Sequence, residues 1–145
     1  MIRVLIADDH LAVREGVRAM LALESGIDVI GEAVDGPTAL RLARELKPDL
    51  VVLDNSMPGM SGLDVSRTLA AELPHTGVVF LTMDPALRDL ALSGGAMAYV
   101  LKDAPPDELL RAVRATTAAL TTRRRLAGIP ASERRFVELL IATRT

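Results

Sequence analysis

Four apolar runs in this chain end on polar residues of different chemical kinds. Ile2–Ala7 ends on Asp8 and Asp9, Leu50–Leu53 on Asp54, Val78–Leu81 on Thr82, and Met97–Leu101 on Lys102. If these runs are parallel strands of one sheet, all four endings share its carboxyl edge, which is where open α/β sheets place their ligands. Three carboxylates, one hydroxyl and one ammonium gathered there suit two tasks: holding a divalent cation and placing a phosphoryl group on an aspartate.

The elements needed to bring them together can be read from periodicity. Strand-like and helix-like segments alternate along the chain. Residues 11–24 carry Val13, Val17, Met20 and Leu21 at helical spacing, and Gly26 ends that helix. Val29–Val34 is a weaker strand. Asp35-Gly36-Pro37 starts a second helix with Ala39, Leu40, Ala43 and Leu46 on one face, and Lys47-Pro48-Asp49 stops it. After the strand ending at Asp54 comes a loop, 55–62, then a helix marked by Leu63, Val65, Leu69 and Leu73. Asp84 and Pro85 have the character of an N-cap and a first helical residue, with Gly94 as the stop. A strand at 97–101 leads to a last helix that starts near Pro105-Pro106-Asp107-Glu108 and runs to about residue 121. Five βα units of this kind predict a parallel sheet with helices on both faces. The expected class is α/β, a flavodoxin-like (βα)5 doubly wound sheet of order 2-1-3-4-5 with a short helical C-terminal appendage. That order sets strand 1 beside strand 3, so Asp8, Asp9 and Asp54 meet in one crevice.

Composition narrows the alternatives. The 145 residues are enough for one domain plus an appendage. Half are hydrophobic but only 2% aromatic, so the core must be aliphatic. A formal net charge of -2 gives no chain-wide electrostatic case for nucleic acid. The absence of cysteine excludes disulfides and thiolate metal sites. The N-terminus enters a strand-like run directly, without signal-peptide character, and no apolar stretch has the length of a membrane span. The expectation is a soluble cytoplasmic protein with no membrane contact. Lys47 and Lys102 are the only lysines in an arginine-rich basic set, which makes Lys102 easy to notice.

Taken in order, Asp8-Asp9, Asp54 with Met57-Pro58-Gly59-Met60-Ser61-Gly62, Thr82, and Tyr99-Val100-Leu101-Lys102 resemble the receiver domain of a bacterial two-component response regulator. Residues 95–103 are most similar to the NarL/LuxR type. The stretch from Ile129 to Leu140 resembles the opening of that family's helix-turn-helix domain. The resemblance implies a receiver at 1–121, a linker at 122–130, and at 131–145 a truncated start of a LuxR-type DNA-binding domain whose recognition helix is missing.

It also implies roles. Asp54 is the expected phosphoacceptor. Asp9, Asp54 and the Ser56 carbonyl would hold Mg2+ directly, and Asp8 through water. Lys102 would contact the phosphoryl oxygens. Thr82 would bond the phosphoryl group once formed, and Tyr99 would swing inward with it as the second half of a switch. Competing structural roles are a cap of the first helix for Asp8 or Asp9, a strand threonine, and a core tyrosine. His10 and His75 lack metal-ligand spacing and are set aside. Arg123-Arg124-Arg125 reads as a solvated linker. The interval from Thr82 to Lys102 is short for the family, which places the shortfall in the fourth helix or its entry.

The implied function is a phospho-switched receiver, modified by a sensor histidine kinase, forming a homodimer on activation, and controlling DNA binding through a C-terminal domain. A stand-alone receiver acting through protein contacts is the alternative. An aspartate-based phosphohydrolase is a third reading, disfavoured because Ser56 stands where such enzymes want an acid.

Overall fold

The structure, a computed structural model, describes residues 1–142. Five parallel strands form one sheet: β1 (Ile2–Ala7), β2 (Ile27–Ala33), β3 (Leu50–Leu53), β4 (Gly77–Thr82) and β5 (Ala98–Leu101). Their order is β2-β1-β3-β4-β5, as expected. The helices are α1 (Leu11–Ala22), α2 (Gly36–Leu46), α3 (Gly62–Glu72), α4 (Arg88–Ser93), α5 (Pro106–Ala127) and α6 (Ala131–Ala142).

Side-chain alternation along the strands builds two separate apolar layers. Leu5, Ala7, Val51, Leu53, Val78 and Phe80 point to one face, where Ala39, Leu40 and Ala43 of α2 and Val65 and Leu69 of α3 cover them. Val4, Ile6, Leu50, Val52, Val79 and Leu81 point to the other, under Val17 and Leu21 of α1 and Leu109 and Val113 of α5. A sheet buried on both faces explains why β3, the body of β4 and β1 from Val4 onward read as apolar runs. Register follows from the same packing: Ala7 lies opposite Leu53 and Leu53 opposite Phe80. The residues just beyond these positions therefore emerge side by side at the carboxyl edge.

Three boundaries differ from expectation. β2 begins at Ile27 rather than Val29, because pairing with β1 starts at Ile2–Ile27. The fourth helix is divided: Asp84 accepts a hydrogen bond from the Ala86 amide at 2.9 Å, but the turn it caps, Pro85–Leu87, is 3-10. The α-helix that follows has six residues, with only Ala91 buried. α5 runs on to Ala127, through residues expected to form a linker, and stops at Gly128. Basic residues in a last turn suit the helix dipole, and Arg124 pairs with Asp49 at the opposite end of the sheet from the site. Asp49 also accepts the Arg3 amide at 2.8 Å. Burial works against the Asp49 charge, but these two donors outweigh it and hold the carboxyl below its usual range.

Gly16 sits exposed in the middle of α1, and a Cβ built there meets nothing within 4 Å. Its only contribution is unfolded-state entropy. Gly16→Ala is expected to stabilise the protein by about 0.5–1 kcal/mol, read as a higher urea midpoint.

Candidate functional site

The carboxyl edge gathers the expected residues. β1 and β3 are neighbours, and the Asp54 amide donates to the Ala7 carbonyl at 2.9 Å, fixing one acid-bearing strand end against the other. Asp8, Asp54 and Thr82 are all buried, at 2%, 3% and 2% exposure. Asp9 lies further out, its side chain 32% exposed. The Lys102 amide donates to the Thr82 carbonyl at 2.9 Å, which aligns the end of β5 with that of β4. From there the Lys102 side chain reaches back over the edge. Its Nζ lies 2.7 Å from Asp8 Oδ2 and 3.3 Å from Asp54 Oδ2.

Two buried carboxylates facing one ammonium make a charged cluster in a poorly solvated place. Burial is the largest single influence on Lys102 and disfavours its charge. The combined attraction of Asp8 and Asp54 exceeds it, so the ammonium titrates above its ordinary 10.5. A raised folded-state value contributes stability that is complete below about pH 10.5 and is lost as pH rises through the higher folded value. As pH rises above about 10.5 the urea midpoint of the wild type is expected to fall more steeply than that of Lys102→Met. Parallel profiles would contradict the pairing.

Asp8 is engaged on both oxygens. Oδ2 faces Lys102, and Oδ1 accepts the His10 amide at 2.8 Å. Neither Asp8 nor Asp9 caps α1: Asp8 is engaged inward, Asp9 faces the His10 ring, and the N-cap position is His10, which makes no side-chain capping bond. The Arg14 guanidinium bonds the Asp8 carbonyl at 2.8 Å and meets Glu32 at 3.4 Å, bracing the β1 end against β2.

Ligating atoms of Asp8, Asp9, His10 and Asp54 all lie within 4.8 Å of one another. A mostly carboxylate donor set of this size could hold a hard divalent cation. His10, set aside on spacing, thus belongs to the cluster: its Nδ1 is 3.0 Å from Asp9 Oδ1 and 3.3 Å from Asp8 Oδ1.

Residues 4–114 match the response regulator receiver domain. The chain belongs to the response regulator receiver family. It is of the NarL/LuxR type, and its relatives agree. It is 44% identical over 117 residues to the response regulator GacA of Pseudomonas aeruginosa, covering 79% of this chain and 54% of that protein. It is 42% identical over 115 residues to the nitrate/nitrite response regulator NarP of Escherichia coli, with 78% and 54% covered. The chain thus spans about half the length of the curated relatives it matches. Among solved structures it resembles a LuxR-family two-component response regulator from Aurantimonas sp. That match has a TM-score of 0.77 and 36% identity, over 81% of this chain and 85% of that one. The signal receiver domain of NarL from Mycobacterium tuberculosis aligns with a TM-score of 0.73 and 36% identity, over 83% and 96%.

In this receiver the loop after Asp54 is organised by a residue the sequence did not single out. Asn55 accepts the Leu63 amide on its side chain at 3.0 Å, and its carbonyl accepts the amides of Met57 at 3.1 Å and Gly62 at 3.0 Å. Ser56, two residues past Asp54, is exposed on that loop. The loop is tied to the start of α2 by the Gly36 amide, which donates to the Pro58 carbonyl at 3.2 Å. Tyr99 is half-buried at the receiver's edge. Its ring stacks on Phe80 with centroids 5.8 Å apart, and its hydroxyl donates to the Asp84 carbonyl. Burial first, then the charges of Asp84 and Asp54, push its phenol upward, against a smaller opposing hydrogen bond from the Leu87 backbone. Tyr99 therefore joins the core aromatic of β4 to the 3-10 turn that follows Thr82.

Proposed function

We propose that this receiver accepts a phosphoryl group on Asp54 from a phosphohistidine of a sensor histidine kinase. The observation that carries the reading is the Lys102 ammonium, 2.7 Å from Asp8 and 3.3 Å from Asp54. An Asp54 oxygen attacks phosphorus, the new O–P bond forms as the P–N bond breaks, and the kinase imidazole leaves with the electron pair. Catalysis of such a transfer is mostly positioning and charge neutralisation. Lys102 supplies a fixed positive charge to the phosphoryl oxygens. The Thr82 hydroxyl, buried at the end of β4, would bond the group once formed.

The donor set fits Mg2+. Asp8 has both oxygens engaged by Lys102 and the His10 amide, which suits contact through water. Asp9, Asp54 and the Ser56 carbonyl would then be the direct ligands. The ion supplies further neutralisation of the phosphoryl charge.

Phosphorylation switches the protein through Thr82 and Tyr99. An inward pull on Thr82 acts on the turn to which the Tyr99 hydroxyl is bound, so both move between two arrangements whose balance the modification biases. The output is transcription regulation, by homodimerisation and a C-terminal DNA-binding domain. On this reading the receiver occupies 1–121, extended by the rest of α5, and the DNA-binding domain begins at 131; residues 143–145 of that segment lie outside the described residues. α6 supports this over a stand-alone receiver, because Phe136 and Leu139 present exposed apolar surface at helical spacing, as a helix does when another element packs on it.

The test is intact mass after incubation with acetyl phosphate. One phosphoryl group is expected with Mg2+ present and none in chelator. Equal labelling in both would overturn the proposal.

A further inference from the structure

Among the described residues, the ring of His10 is engaged only at its Nδ1 face, by the carboxylates of Asp8 and Asp9. Its side chain is 66% exposed, it makes no capping bond to α1, and its backbone is extended at φ -97° and ψ 117°. That conformation turns the ring back across the mouth of the acidic cluster. There its Nδ1 lies 3.0 Å from Asp9 Oδ1 and 3.3 Å from Asp8 Oδ1.

These separations carry chemical meaning. Two donors each about 2.1 Å from one octahedral ion stand about 3.0 Å apart when adjacent and about 4.2 Å apart when opposite. The whole set of Asp8, Asp9, His10 and Asp54 donor atoms falls within 4.8 Å. That bound exceeds the span of opposite ligands by about 0.6 Å, so one ion can be shared by the ring nitrogen and the carboxylates once the set closes by that much. With Oδ1 of Asp8 taken by the His10 amide at 2.8 Å, Asp9 and Asp54 are the carboxylates best placed to share it.

We propose that His10 supplies a nitrogen ligand to the divalent-cation site, so that the site takes first-row transition ions such as Mn2+ and Co2+ as an N,O-donor centre. This deepens the reading of Asp9 and Asp54 as metal ligands and rests on it. Imidazole adds affinity for transition ions and almost none for Mg2+, which prefers oxygen and retains its water. His10 thereby sets which cation supports the receiver's chemistry when both kinds compete.

The experiment uses Mn2+ and the full chain. Electron spin echo modulation of the bound Mn2+ should show a directly coordinated 14N, converted to the 15N pattern in protein grown on 15N-labelled histidine. The other histidine, His75, lies in the turn before β4, at the opposite edge of the sheet. His10→Ala should lose the nitrogen coupling and lower the ratio of Co2+ to Mg2+ affinity about tenfold by calorimetry. Mn2+ bound by the labelled wild type without nitrogen coupling overturns this inference alone, as it would if His10 merely pairs with Asp9 as a cation. Failure of the wild type to bind Mn2+ at all overturns the metal-site reading along with it.

Discussion

Asp54→Ala is expected to abolish phosphoryl uptake, not merely slow it. Asp54 is buried at 3% exposure at the end of a central strand, and Lys102 faces its Oδ2. Asp9 is more exposed, and Asp8 is engaged on both oxygens. Neither combines a free oxygen with a position opposite the ammonium, so neither can substitute as nucleophile. The variant should keep its fold, since Lys102 retains Asp8 at 2.7 Å. Intact mass after treatment with acetyl phosphate and Mg2+ should show unmodified protein, with a wild-type circular dichroism spectrum. Wild-type labelling of the variant would remove Asp54 from its role.

Gly62→Val should cost about 3 kcal/mol or more in urea unfolding. Gly62 is the first residue of α3 and lies directly over the acid-bearing strand end. A Cβ there would stand 2.3 Å from the Asp54 carbonyl oxygen and 2.8 Å from Asn55 Cα. Those are backbone atoms, and no rotamer change can move them away. Relief requires shifting either α3 or the residue that carries the proposed chemistry. The substitution should therefore damage both, lowering stability and phosphoryl uptake together. A variant as stable as the wild type would show that the loop yields more easily than its Asn55 hydrogen bonds imply.

What could be read from the sequence follows how each residue earns its place. β1, β3 and β4 were legible because burial on both faces demands apolar runs, in β1 from Val4 to Ala7. The weaker β2 was found with a shifted start, since exposed Asp28 and the half-buried Glu32, paired with Arg14 and Arg18, blur the pattern at the sheet edge. The end of α5 was misread because three consecutive arginines resemble a solvated linker. The favourable contact of Arg124 with Asp49 exists only once the chain is folded. The division at Pro85–Leu87 was hidden for a similar reason. The segment has good helix signals, but only Ala91 finds a buried position to extend the helix against.

At the site, Asp8, Asp9, Asp54, Thr82 and Lys102 were legible as strand ends of distinct chemical type. Sheet order then brings together residues that the sequence keeps far apart. His10 and Asn55 were not. His10 joins the cluster through an extended backbone at the strand-to-helix turn, and no periodic spacing encodes that. Asn55 acts mostly through its carbonyl, for which residue type is a poor guide.

The central claim is that one aspartate, held against the Lys102 ammonium, receives the phosphoryl group. The most direct measurement is peptide mapping of wild-type protein treated with acetyl phosphate and Mg2+ and then reduced with borohydride, which converts an aspartyl phosphate into homoserine. The account predicts homoserine at position 54 and nowhere else. Homoserine at position 8 or 9, with Asp54 intact, would contradict it.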